Sequence, residues 1–272
     1  AAMEEKGLTW VAVSAVTGDG MDRLREELIR LAPEDFINPE GIVSDLVPPG
    51  GTAVLVVPID KEAPKGRLIL PQVRTIRDLL DNGSMALVTR EGELGAALKN
   101  LAVKPALVIT DSQAFLKVAG DTPDDIPMTS FSILFARHQG DLSSMVEGAA
   151  AIGSLRPGDR VLIAEACTHH PIEEDIGTVK LPRWLNRFVG GDLDFRFHRG
   201  ADFPEDLASF RLVIHCGACM LNRRAVLARI QKASRAGVPI TNYGLAIAYS
   251  LGIFERALGP FPEALDRYRS SL

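Results

Sequence analysis

From residue 52 the chain alternates short apolar runs with longer amphipathic ones. "TAVLVVPI" (52–59) predicts a strand. "PQVRTIRDLLDNG" (71–83) predicts a helix, with Pro71 in its first turn and Gly83 beyond its end. The alternation continues with strand "SMALVT" (84–89), helix "EGELGAALKNL" (91–101) and strand "PALVIT" (105–110). Asp111 is placed to cap "SQAFLKVA", and Gly120 to end it. A strand over "MTSFSILFA" (128–136) then leads into a second series. Its members are a helix capped by Asp141, strand "RVLIAEAC" (160–167), a short helix "LPRWLNRFVG" and strand "LDFRF". Strand "FRLVIHC" (210–216) and a helix from Asn222 to Gly237 follow, the helix counting Ala225, Leu227, Ile230 and Ala233 among its apolar positions. Residues 242–272 read as mostly helical.

Strands that alternate with helices build parallel sheets covered by helices. The fold class is therefore α/β, with two consecutive parallel-sheet domains over 41–130 and 131–272. No sequence repeat and no low-complexity tract is evident. Before residue 36 there is only a small β-loop-α unit: a strand over Leu8–Val13, a turn at Gly18 and Gly20, and a helical stripe of Leu24, Leu28 and Leu31 stopped by Pro33. It is too short to be a domain and reads as the end of one. The proline- and glycine-rich stretch over 36–51 is a connection.

Composition narrows the function classes. Hydrophobic residues make up 46% and charged residues 24%, ordinary for a globular protein. A net charge of -5 provides no general attraction to nucleic acid or to an anionic membrane. No apolar run approaches the ~20 residues of a membrane-spanning helix, and "AAMEEKG" lacks the features of a signal peptide. The expectation is a cytoplasmic chain. Its 3 cysteines are too few for a disulfide framework and point to metal or redox work.

Those cysteines form one pattern. Cys167 and Cys216 stand at the carboxyl ends of two predicted strands, the edge where open parallel sheets bind ligands. Cys219 follows in the loop before the Asn222 helix, whose N-terminus favours thiolate. With His169 and His215, the pattern reads C-x-H, then H-C-x-x-C. Three thiolates and two imidazoles make a metal set. A closed zinc site and an iron–sulfur cluster with one open iron both satisfy it. His169 and His215 are candidate fourth ligands or hydrogen-bond donors to sulfur. His170 is a weaker candidate, and His138 and His198 read as packing or surface residues. Glu173, Glu174 and Asp175 read as a solvated acidic turn, and Arg223 and Arg224 as helix-surface residues able to steer an anion. No G-x-x-x-x-G-K-[ST] occurs, so the chain has no P-loop for a nucleoside triphosphate. "VGGD" (189–192) and "TGDGM" (17–21) lack dinucleotide-loop spacing.

"EACTHHPIEEDIGTVKLPRWL" together with "DFPEDLASFRLVIHCGACMLNRR" resembles the HydF family, the scaffold proteins of [FeFe]-hydrogenase maturation. The resemblance covers most of 131–272. Residues 41–130 are similar to the family's dimerisation domain, and "VSAVTGDGMDRLREEL" to the last strand, loop and helix of a small GTPase domain, here 1–34. The resemblance implies a [4Fe-4S] cluster on Cys167, Cys216 and Cys219, with His169 or His215 in the region of the exchangeable fourth ligand. It implies a carrier, not an enzyme as this chain stands, that receives a diiron precursor and hands it to apo-hydrogenase. A homodimer is implied, with the apo-[FeFe]-hydrogenase and two radical-SAM maturases as partners and neither nucleic acid nor membrane. GTP hydrolysis does not carry over, because the P-loop is missing. The rival reading is a zinc-stabilised α/β binding module.

Overall fold

The computed structural model describes residues 9–31, 41–59, 66–166, 175–200 and 202–271. They belong to two compact units, Ala1–Glu40 and Gly41–Leu272. In the first, helix α1 (Met21–Leu31) follows a turn closed by Gly18 N–H on the Ser14 carbonyl at 2.9 Å. Among the described residues of this unit the strand expected over Leu8–Val13 does not form. A strand needs a neighbour to take its backbone hydrogen bonds, and Trp10 and Val13 are each 48% exposed.

The second unit holds two four-stranded sheets, every pairing parallel. The first contains β1 (Thr52–Val56), β2 (Met85–Thr89), β3 (Leu107–Thr110) and β4 (Met128–Ser130), in the order β2-β1-β3-β4. The second contains β5 (Arg160–Glu165), β6 (Asp194–Arg199), β7 (Leu212–His215) and β8 (Ile240–Asn242), in the order β6-β5-β7-β8. Helices α2 (Leu70–Asp81), α3 (Leu94–Asn100), α4 (Phe115–Asp121), α5 (Phe131–Gln139) and α6 (Leu142–Ala150) belong to the first half of the unit and its exit. Helices α7 (Leu181–Val189), α8 (Arg223–Arg235), α9 (Tyr243–Ser250), α10 (Phe254–Leu258) and α11 (Pro262–Ser270) complete it. The α/β class with two parallel sheets is thus as the sequence predicts.

The two sheets repeat one topology, although no repeat stands out in the sequence. Thr110 pairs with Ser130 in the first sheet, and His215 with Asn242 in the second. Val56 pairs with Thr110, and Ala164 with His215. "LVIT" of β3 and "LVIH" of β7 therefore hold equivalent places, and Asp111 stands where Cys216 stands in the other half.

The elements around β4 differ from expectation. The strand stops at Ser130, and 131–136, expected to continue it, are helix α5. The Ser130 side chain accepts from Ile133 N–H at 3.2 Å and caps that helix. Phe131, Ile133, Leu134 and Phe135 are all buried. A helix enclosed on every side shows no polar face, so its period is hidden. Asp111 likewise does not cap. Its carboxylate accepts from Gln72 Nε2 at 2.8 Å, and a 3₁₀ turn (Ser112–Ala114) leads into α4, which passes through Gly120. Asp141 does cap α6, accepting from Ser144 N–H at 2.9 Å. Strand β8 falls between the helix expected to end at Gly237 and the stretch from 242 read as helical, where no element was expected, while α9, α10 and α11 fulfil the helical reading.

The helices leaving each sheet cover the other sheet's last strand. Helix α6, downstream of β4, packs along β8, and α10, downstream of β8, packs along β4. Helices α5 and α9 lie against each other, joined near their N-termini. There Asn242 Nδ2 donates to the Ser132 carbonyl (2.8 Å) and Oγ (3.1 Å), and Gly244 N–H donates to the same Oγ (3.1 Å). This brings the carboxyl ends of β4 and β8 together. No helix among the described residues is long and apolar enough to cross a membrane.

Candidate metal centre

Strands β5 and β7 are neighbours, so the two cysteine-bearing segments run side by side to one sheet edge. Strand β5 ends at Glu165, and Cys167, the second residue beyond it, lies outside the described residues with His169 and His170. Cys216 follows β7 directly. Its backbone N–H donates to the Ala164 carbonyl at 2.9 Å, continuing the ladder by one bond. Its Sγ accepts from Ala166 N–H at 3.2 Å. The residue that precedes Cys167 in sequence is thus bonded to the sulfur of Cys216.

The loop Cys216-Gly217-Ala218-Cys219 then turns sharply. Ala218 is the only non-glycine described residue with positive φ, at 53°. Left-handed backbone in a residue with a Cβ is a strain that the surrounding structure must hold. A bond from Leu221 N–H to the Ala218 carbonyl (2.9 Å) closes the turn. Asn222 caps α8 by accepting from Ala225 N–H at 2.9 Å. Cys216 and Cys219 are both half-buried.

His215, the last residue of β7, is 1% exposed and both of its ring nitrogens are engaged. Nε2 lies 2.7 Å from Arg229 Nη1, and Nδ1 lies 2.8 Å from the Cys216 carbonyl oxygen. A guanidinium only donates, so Nε2 accepts and the proton sits on Nδ1, directed at the Cys216 carbonyl. Burial, with the charge of Arg229 beside it, lowers the His215 pKa to about 4 and keeps the ring neutral. Burial also lowers the pKa of Arg229, against the opposing pull of Cys216 and Asp202.

Beside this loop runs a second polar group. Glu165 is 2% exposed and accepts from Arg199 Nε at 2.6 Å and from Tyr243 Oη at 3.0 Å. A Cβ on Gly177 would stand 2.2 Å from Tyr243 Oη and 2.6 Å from Glu165 Oε1, so only glycine allows this closeness. Burial, then Glu165 and Cys216, raise the Tyr243 pKa well above the ordinary value. Asp175, expected in a solvated turn, is instead 2% exposed. It accepts from Thr178 N–H and Oγ1, both at 2.7 Å, and starts a π-helical turn (Ile176–Lys180) before α7.

The other singled-out residues have ordinary partners. His138 Nε2 meets Arg74 at 3.0 Å, and His198 Nε2 meets the Asp202 carbonyl at 2.8 Å. Arg223 donates to the carbonyls of His138 (3.1 Å) and Gly140 (2.9 Å). Arg229 and Tyr243 were not legible as site residues. Arg229 did leave a signal, being a charged residue on the buried stripe Val226, Ile230, Ala233 of α8.

Two half-buried thiols in one strained loop, one receiving a backbone N–H, fit the chemistry of a thiolate-held centre. Among the described residues no group of three or more His, Cys, Asp or Glu forms a cage by itself.

Two family profiles match the chain. The hydrogen maturase F dimerization domain matches residues 42–140, and the hydrogen maturase F tetramerization domain matches residues 143–260. The chain belongs to the HydF family. Its two HydF domains tie it to hydrogenase maturation, and the first spans the β1–β4 sheet while the second begins at α6 and spans the cysteine loop. No curated protein matches. Among solved structures, a LacI-family transcription-regulation repressor from Corynebacterium glutamicum aligns over 81% of this chain and 92% of its own, at 13% identity and a TM-score of 0.26.

Proposed function

We propose that this chain is a carrier in [FeFe]-hydrogenase maturation: it holds a [4Fe-4S] cluster on Cys167, Cys216 and Cys219 and transiently carries the diiron precursor to apo-hydrogenase. The observation that supports this most is the bond from Ala166 N–H to Cys216 Sγ. It ties the segment just after β5, one residue before Cys167, to Cys216 at the sheet edge where ligands bind. Three thiolates leave one iron of a cubane for another ligand, and a carrier needs a place that binds and releases. Loading and delivery would involve the two radical-SAM maturases and the hydrogenase, in the cytoplasm, with the chain acting as a homodimer through residues 42–140. As it stands the chain is not an enzyme. When bound, the cluster supplies a Lewis-acidic iron; the protein supplies the thiolates, the backbone donor to sulfur and the buried polar surround.

Anaerobic reconstitution with iron and sulfide tests the reading. The expected result is about four irons per chain and a reduced-cubane EPR signal, both lost in Cys216→Ser. One tightly bound zinc per chain and no EPR signal would instead establish the cysteines as a structural zinc site.

A further inference from the structure

Arg229 enters from α8, meets His215 at Nε2, the ring nitrogen that does not face the Cys216 carbonyl, and is 5% exposed. Besides its bond to His215, its Nη2 donates to the carbonyls of Gly200 (2.9 Å) and Asp202 (3.3 Å). Its guanidinium also stands 5.2 Å from the centroid of the Phe203 ring. The head group is therefore fixed by the segment after β6 and is not free to follow the loop. The loop follows it: Arg229 sets the ring of His215, and the Nδ1–H of that ring grips the carbonyl of Cys216.

We infer that Arg229 is a positioning residue for the cysteine loop, acting through His215, and that His215 is thereby kept out of the ligand set. Resting on the carrier reading, this narrows it. The His215 lone pair on Nε2 is already spent on Arg229, and its other nitrogen carries the proton given to Cys216. Ligation by His215 would require breaking the Arg229 bond and leaving a buried guanidinium short of an acceptor, a costly exchange. The exchangeable iron position is then filled by a group from elsewhere.

The test uses the full chain and three variants: Arg229→Met, Arg229→Lys and His215→Gln. In cluster-free protein, ¹⁵N NMR of the imidazoles should show His215 as the neutral tautomer protonated at Nδ1, and Arg229→Met should abolish that signature. After reconstitution, Arg229→Met should lose its cluster to a chelator roughly 10-fold faster than the parent, the usual scale for removing a group that orients a ligand. Arg229→Lys should fall between them. Pulsed EPR on ¹⁵N-histidine protein should show no directly bound nitrogen that disappears in His215→Gln. A nitrogen coupling lost in His215→Gln, or an unchanged chelation rate in Arg229→Met, would overturn the inference while leaving the carrier reading intact. A parent protein that takes up no cluster would overturn both.

Discussion

Asn242 reaches across the second unit to Ser132: its Nδ2 donates to the Ser132 carbonyl at 2.8 Å while its Oδ1 accepts from Leu245 N–H at 3.0 Å. One side chain thus caps α9 and fastens it to the start of α5. Asn242 is 2% exposed, so neither bond can be replaced by water without opening the core. Replacing it with Ala removes a cap worth about 1 kcal/mol and the bonds to Ser132, each worth about 1 kcal/mol. Denaturant titration of Asn242→Ala should therefore show a loss of about 3 kcal/mol, and Asn242→Asp, which keeps the cap but sets a carboxylate oxygen against the Ser132 carbonyl, should lose at least as much.

The packing of α6 on β8 gives a second expectation. A Cβ on Gly148 would stand 1.9 Å from the Ile240 carbonyl oxygen and 2.4 Å from its carbon. Those are backbone atoms of a sheet strand and cannot move aside. Gly148→Ala should destabilise the protein by about 3 kcal/mol, at the upper end of ordinary overpacking. Gly95 in α3, with nothing within 4 Å of its Cβ position, is the control. Gly95→Ala should be neutral or stabilise by up to ~1 kcal/mol through helix propensity. Thermal melts of the two variants decide it, and equal shifts would mean that α6 does not press on β8.

A third expectation concerns alkaline pH. Burial, with Glu165 and Cys216 nearby, raises the Tyr243 pKa above its ordinary 10.0, so the folded protein keeps the phenol protonated where the unfolded chain ionises it. The stability this contributes is complete below pH ~10 and is lost as pH rises through the folded value. Tyr243→Phe removes the bond to Glu165 and should cost about 2 kcal/mol at pH 8, the scale of a hydrogen bond to a charged group. The gap between the two proteins should then narrow above pH ~10, because only the parent carries the ionisable ring. A gap that stays constant from pH 8 to 11 would count against the buried phenol.

Much of this fold could be read along the chain because parallel strands buried on both faces are apolar runs. β1, β3, β5 and β7 are almost fully buried, and each announced itself. The failures have a common cause. Helix α5 and strand β8 lie where the two halves pack together, and most of their residues are buried. Phe131 to Ala136 are a nearly continuous apolar run, which fits a buried strand as well as a buried helix, and Ser130, a good N-cap, marks the true start of the helix. The Asp141 cap was legible because an aspartate directly before a helical run is a local signal. At the candidate centre, the carboxyl-edge placement of Cys216 followed from the pattern, whereas the adjacency of β5 and β7 did not, since strand order depends on pairing that no local pattern encodes. The burial of Asp175 did not, since its charge in an acidic run suggested solvent, and the role of Arg229 depends on a contact with His215 fourteen residues away in sequence.

The shared strand order of the two sheets carries a consequence for how the second unit holds together. Each half lends a helix to roof the final strand of the other, as subunits do in a swapped dimer. The polypeptide is in effect a pair of pseudo-subunits joined by one covalent link between α6 and β5. Severing that link between Ser154 and Asp159 should give two fragments that need one another to fold, and that recombine into the intact particle when mixed.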